Sequence, residues 1–114
     1  MNTYSYKGED FEAVFTADKW KIGILRYSER FSRLGCFERH MKTPEVFVLL
    51  SGEAILYIKD DNGNISKTSM ERNVVYEVPE KEWHHIVVSK DACVLIVENS
   101  DTSKENTEKV MIDL

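Results

Sequence analysis

Two acids and three histidines of this sequence have the types of metal ligands and cluster in two places. Glu38 and His40 belong to the stretch "CFERHMKTPEVFVLLSG", which also contains Glu45, and the pair His84-His85 lies in a later segment. Imidazole and carboxylate groups together bind divalent Fe, Mn, Ni or Zn. If residues 36–40 form a strand, its period of two places Glu38 and His40 on one face. The pattern predicts part of a metal site; the alternative is a set of ordinary polar residues at the rim of a small β-protein.

The segments that must position these residues are mostly extended. "KWKIGILRY" alternates, with Trp20, Ile22 and Ile24 on one face, and "EVFVLL" is an apolar run that ends at Ser-Gly. Later segments rich in Val and Ile, such as "NVVYEVP", "HHIVVS" and "ACVLIVEN", are separated by turn residues. Short strands at near-regular spacing predict an all-β sandwich or barrel with little or no helix.

Two local patterns give further expectations. In "GEDFEAVF", Phe11, Val14 and Phe15 lie at helical spacing, which allows one short helix or an irregular arm. The pair Asn62-Gly63 tolerates positive φ angles and predicts a type I′ hairpin turn.

The length of 114 residues suits one domain, 1–114, with a single core. We expect a barrel over about 20–98, an arm at 1–18 and a polar segment at 99–114. In that last segment "SDTSKENTEK" lacks an apolar period and looks disordered. "VMIDL" could return as a final edge strand with Val110, Ile112 and Leu114 aligned.

Charge and composition disfavour several classes of partner. The formal net charge is -5 and no run of Lys and Arg compensates for it, so we expect no nucleic acid and no membrane surface as partner. The first residues lack a basic region followed by an apolar core, and no apolar run approaches the roughly 20 residues that span a bilayer. We therefore expect a cytoplasmic protein in which Cys36 and Cys93 stay reduced.

Two motifs resemble those of the cupin superfamily. The first family motif has two histidines, a glutamate and a glycine, and the same frame here reads Glu38, His40, Glu45 and Gly52, with a glutamate in place of the first histidine. In the second motif proline and histidine match, whereas both glycines are replaced. Its four positions here are Asn73, Pro79, Lys81 and His84. The resemblance covers about residues 20–98 and implies a double-stranded β-helix, or jelly-roll barrel, with a small-molecule pocket in its mouth.

Carried over residue by residue, the resemblance implies Glu38, His40, Glu45 and His84 as metal ligands. Glu38 stands where the family has histidine, so it either completes the ligand set or acts as a general acid or base nearby. Alternation turns His85 outward, as a solvated side chain and reserve ligand.

Other residues near the motifs suit a pocket. Cys36 shares the face of Glu38, and Phe47 shares the face of Glu45, so both are expected to line the pocket. Four arginines near the first motif could suit an anionic substrate, although solvated strand faces are the plainer interpretation. They are Arg26, Arg30, Arg33 and Arg39.

The residues leave three functional hypotheses open. The first is a small metal-dependent enzyme of unassigned activity that acts on a small polar metabolite, for which the resemblance to cupins implies a dioxygenase or an isomerase or epimerase. The second is a non-catalytic binding module for a sugar or sugar acid. The third is a metal-free structural homodimer that pairs edge strands. A homodimer is expected in any case.

Overall fold

Residues 1–112 are described by the computed structural model, and they form ten β-strands and two single 3-10 turns, Glu29–Phe31 and Lys104–Asn106. The strands are β1 Phe11–Thr16, β2 Trp20–Arg26, β3 Cys36–His40, β4 Glu45–Ser51, β5 Ala54–Lys59, β6 Ile65–Ser69, β7 Val75–Val78, β8 Trp83–Val88, β9 Cys93–Asn99 and β10 Thr107–Met111. No helix within this part of the chain has the length and apolar character needed to cross a bilayer.

The strands form two five-stranded sheets in which all neighbouring strands are antiparallel. The first sheet has the order β1-β2-β9-β4-β7 and the second has the order β10-β3-β8-β5-β6. Apart from the hairpins β1-β2 and β5-β6, neighbouring strands are distant in sequence and the chain crosses repeatedly between the two sheets, which is the topology of a jelly-roll barrel. The prediction of an all-β jelly roll with little or no helix is confirmed.

The core lies between the sheets and follows the period of two. Phe47 and Leu49 of β4 and Val94 and Ile96 of β9 are each at most 2% exposed. The opposite sheet contributes Leu56, Ile86 and Val88 to the same cluster. On the first sheet the inward faces continue beyond the apolar residues to carboxylates at the strand ends, which is how this sheet places acids inside the barrel.

Two segments expected outside the barrel belong to its sheets. The N-terminal arm contains β1, so it is neither the short helix nor the irregular arm that its spacing allowed. A bulge between Ala13 and Phe15 shifts the register of β1 on β2, which gives a strand an apolar spacing that resembles a helix. The polar segment expected to be disordered contains a 3-10 turn and the start of β10. A final edge strand is present, but it runs over Thr107–Met111, so of the expected strand residues it includes Val110 and ends before Ile112, while Leu114 lies outside the described residues.

The hairpin turn between β5 and β6 differs from the type I′ expectation. Of the pair Asn62-Gly63 only Gly63 has a positive φ, +84°. The amide of Gly63 donates to the carbonyl of Asp60 over 3.1 Å, and the carboxylate of Asp60 accepts from the amides of Asn62 and Asn64. This carboxylate favours a longer loop over the tight two-residue turn.

Candidate metal centre

Three side chains from both sheets converge inside the barrel. His40 ends β3, Glu45 begins β4 and His84 lies in β8, and one ligand atom from each lies within 4.8 Å of the others. The Nε2 atoms of His40 and His84 lie 3.3 Å and 3.0 Å from the same carboxylate oxygen, Oε1 of Glu45. The geometry is therefore that of a two-imidazole, one-carboxylate group.

The other nitrogen of each imidazole is anchored. Nδ1 of His84 lies 3.0 Å from the carbonyl oxygen of Glu82, and Nδ1 of His40 lies 2.9 Å from Oγ1 of Thr107. The ring of Phe47 packs edge-on against His84, with centroids 5.8 Å apart. Such partners on the far nitrogen fix the orientation of metal-binding histidines in proteins.

The donor set requires a cation at its centre. A carbonyl oxygen only accepts hydrogen bonds, so Nδ1 of His84 carries a proton. Neutral His84 would then direct a lone pair of Nε2 at a carboxylate oxygen 3.0 Å away, which is repulsive. A proton on the imidazole or a metal ion between the two atoms removes that repulsion. The residues present thus fit a divalent ion.

The pKa values of Glu45 and His84 also indicate that positive charge stabilises this group. Burial by itself raises the pKa of Glu45, but hydrogen bonds from His40, His84 and Glu98 outweigh it and hold that pKa well below its usual range. Burial lowers the pKa of His84, but the hydrogen bond and charge of Glu45 outweigh it and raise that pKa. The buried carboxylate is therefore an anion that is stabilised by its neighbours.

Two residues of this site were missed in the sequence. Glu98 of β9 lies directly opposite Glu45 and is buried, and Nζ of Lys21 lies 3.6 Å from its carboxylate. Burial, followed by the hydrogen bond and charge of Glu45, raises the pKa of Glu98 to about 8. Lys21 also donates to the carbonyl of Thr102 over 3.0 Å. The signal in the sequence was alternation in "ACVLIVEN", which continues the inward positions of β9 to an acid.

A cavity of about 800 Å³ contains the centre. Its apolar wall comes from both sheets, with the 3-10 turn at Glu29–Phe31 beside them. The residues of this wall are Phe11, Leu25, Phe31, Phe47, Ile86 and Ile96. The volume is that of a typical small-molecule site.

Glu38 lines this cavity but lies outside the three-residue group. It is opposite His84 in the pairing of β3 with β8, and Oε1 of Glu38 lies 3.7 Å from Nη2 of Arg30. Its role as a fourth ligand or as an acid or base stays a prediction.

The expectation that His85 is solvated was wrong, and the expectation that Cys36 lines the pocket stays a prediction. His85 is 6% exposed instead of solvated, because the segment that contains Phe31 packs over β8 and the Arg33 carbonyl lies 3.1 Å from Nε2 of His85. Cys36 is buried with its Sγ 3.9 Å from Nδ1 of His85, and it is not among the described residues that line the cavity. Phe47 does line it.

The two residues that stand where the second motif has glycines adopt the left-handed backbone that glycine favours. Asn73 and Lys81, which replace the two glycines, have φ angles of 65° and 66°. The amide of Lys81 donates to the carbonyl of His40 over 2.7 Å. This bond ties the turn before His84 to β3 and so holds His84 near His40.

No protein-family model and no curated protein sequence matches the chain. Solved structures do match it. A point mutant of Bacillus subtilis oxalate decarboxylase has a TM-score of 0.63 and 18% identity, over 81% of this chain and 24% of that chain. This chain thus spans about a quarter of the length of the decarboxylase.

Two matches have a length similar to this chain. A cupin-2 domain containing protein from Shewanella frigidimarina has a TM-score of 0.61 and 15% identity, with 83% of this chain and 84% of that chain covered. KdgF from a Halomonas species has a TM-score of 0.61 and 10% identity, with 87% and 88% covered. The two-sheet barrel and these matches show that the chain has the fold of a small cupin domain.

Proposed function

We propose that this chain is a metal-binding cupin in which His40, Glu45 and His84 hold a divalent ion, and that its cavity binds or transforms a small polar molecule. The observation that carries the proposal is the convergence of two anchored imidazoles on Oε1 of Glu45 inside a cavity. Arranged around one carboxylate, these donors need a cation, and a divalent ion supplies it.

Nitrogen and carboxylate donors suit Fe, Mn, Ni and Zn. Mn(II) centres are the subject of one of the matching structures, that of Bacillus subtilis oxalate decarboxylase. When bound, such an ion would act as a Lewis acid on an oxygen of the cavity ligand.

The residues of the chain have separable roles under this proposal. Thr107 and the carbonyl of Glu82 orient the two imidazoles, and Phe47 keeps water from one side of His84. Glu38, which lines the same cavity, would either complete the ligand set or move a proton at its carboxylate.

Element analysis of metal-loaded protein tests the proposal. Untagged protein is stripped with a chelator, loaded separately with Mn, Fe, Ni or Zn, and desalted. We expect the wild type to retain about one ion per chain and Glu45→Gln to lose at least about tenfold in metal affinity. Glu53→Gln, which removes an exposed carboxylate, is the matched control and should retain the ion. Wild-type protein that retains none of the four metals, or Glu45→Gln that retains as much as the control, would overturn the proposal.

A further inference from the structure

We propose that the molecule bound in this cavity is a small carboxylate, and that Arg30 and Lys109 contact its anionic group. The inference rests on the proposed metal centre and names the chemical class of its ligand. It is carried by the distribution of charge in the cavity.

The cavity is rich in cations although the chain is acidic. Four of its lining residues are Lys or Arg, namely Lys21, Arg30, Lys104 and Lys109, in a chain of net charge -5. The lining carboxyls are three, those of Glu38, Glu45 and Glu98. A divalent ion on the His-Glu-His group would add to this excess of positive charge. Such a cavity attracts anions.

Two of the three carboxyls already have partners of their own. Glu45 lies 3.3 Å and 3.0 Å from the two imidazoles, and Glu98 lies 3.6 Å from Lys21. Arg30, Lys104 and Lys109 are therefore not required to neutralise these two buried acids.

Arg30 is held at the cavity in a position that leaves its donors available. Its guanidinium lies over the ring of Phe31, 4.8 Å from the centroid. Its two ion-pair distances, 3.7 Å to Glu38 and 4.0 Å to Asp10, exceed hydrogen-bond length, and its side chain is half exposed. A planar guanidinium that makes no short hydrogen bond to these acids can donate two N–H groups to the two oxygens of a bound carboxylate.

Lys109 lies on the same side of the cavity as Arg30. In the pairing of β10 with β3 it is opposite Glu38, the carboxylate nearest to Arg30, and Thr107 is opposite His40. Among residues 1–112, no carboxylate lies within 4.0 Å of Nζ of Lys109. The two cations thus flank Glu38 next to the metal centre.

Calorimetry with acids and their amides tests the inference. Manganese-loaded protein is titrated with succinate and glucuronate, which chelate free metal weakly, and with succinamide and glucuronamide as uncharged analogues. We expect at least one acid to bind at least about tenfold more tightly than its amide. Arg30→Met and Lys109→Met should each weaken binding of that acid about tenfold at unchanged metal content. Lys67→Met, an exposed change on β6, is the control and should bind as the wild type does.

The outcomes separate this inference from the proposed function. Wild-type protein that holds none of Mn, Fe, Ni and Zn contradicts both, and protein that holds another of these ions in place of manganese is titrated with that ion loaded. Metal-loaded protein that binds neither acid, or binds acid and amide equally, contradicts the carboxylate inference alone. Equal binding by wild type, Arg30→Met and Lys109→Met contradicts the assignment of these two residues and overturns the inference as stated.

Discussion

Glu45 and Glu98 lie directly opposite each other on neighbouring strands β4 and β9, and both are buried. The pKa of Glu45 lies well below its usual range, whereas that of Glu98 is raised to about 8. At neutral pH Glu98 therefore keeps its proton and Glu45 is the anion that faces the imidazoles. In the metal-free protein the pair Glu45-Glu98 therefore carries one negative charge and not two.

This division of charge predicts a pH dependence of stability in metal-free protein. Unfolded, Glu98 titrates near its ordinary value of 4.5, and folded it titrates near 8. Between these values the folded protein holds a proton that the unfolded chain has released, so this stability is present at low pH and is lost as pH rises.

Glu98→Gln should remove this pH-dependent contribution of Glu98 to stability, because the amide resembles the protonated carboxyl. From pH 5 to pH 6.5 the free energy of unfolding of the wild type should fall relative to the variant by about 1–2 kcal/mol. His84, whose pKa is raised from 6.5, is present in both proteins, so its contribution to the slope cancels in the difference between them. Urea denaturation of chelator-treated protein at several pH values measures the difference. If the free energies of unfolding of the wild type and Glu98→Gln differ by the same amount from pH 5 to pH 6.5, Glu98 is ionised in the folded protein.

Gly52 ends the first motif at a position where a side chain has no room. Its φ is +75°, and a Cβ there would lie 2.5 Å from Cα of Ala92. Gly52→Ala should therefore lower the free energy of unfolding by about 2–5 kcal/mol, from backbone strain and overlap together. Gly63, with φ +84° and open space around it, is the matched control, and Gly63→Ala should cost about 1 kcal/mol. If Gly52→Ala and Gly63→Ala lower the free energy of unfolding equally in thermal or urea unfolding, the backbone near Ala92 shifts to accommodate the new methyl group without penalty.

Lys81 adopts a left-handed conformation that glycine would adopt without strain. Lys81→Gly should raise the free energy of unfolding by up to about 1 kcal/mol, because relief of the strain exceeds the added entropy of the unfolded chain. Asn73→Gly should change it little, since asparagine tolerates this region. Differential scanning calorimetry on both variants compares them. A lower melting temperature for Lys81→Gly would indicate that the lysine side chain itself stabilises the turn.

The sequence was sufficient for the residues whose placement depends on local spacing. His40, Glu45 and His84 follow from two motifs, and Phe47 follows from alternation within a single strand. Glu98 and Lys21 could not be placed in this way, since their meeting with Glu45 depends on the order β2-β9-β4 across the sheet.

Two failures have the same kind of cause. The bulge in β1 made a strand look helical, because an inserted residue changes the period. The burial of His85 depends on a segment far away in sequence that packs over β8. Alternation tells which side of a strand a residue is on, and it does not tell what covers that side.

X-ray absorption at the metal edge tests the central claim most directly. In zinc-loaded protein the spectrum counts imidazole ligands by their outer-shell scattering. The proposed centre predicts two imidazoles in the wild type and in the exposed-site control Glu53→Gln. His40→Ala, loaded at high zinc concentration, should show one. A wild-type spectrum without imidazole scattering, or one that His40→Ala leaves unchanged, would contradict the assignment of His40, Glu45 and His84 as the metal centre.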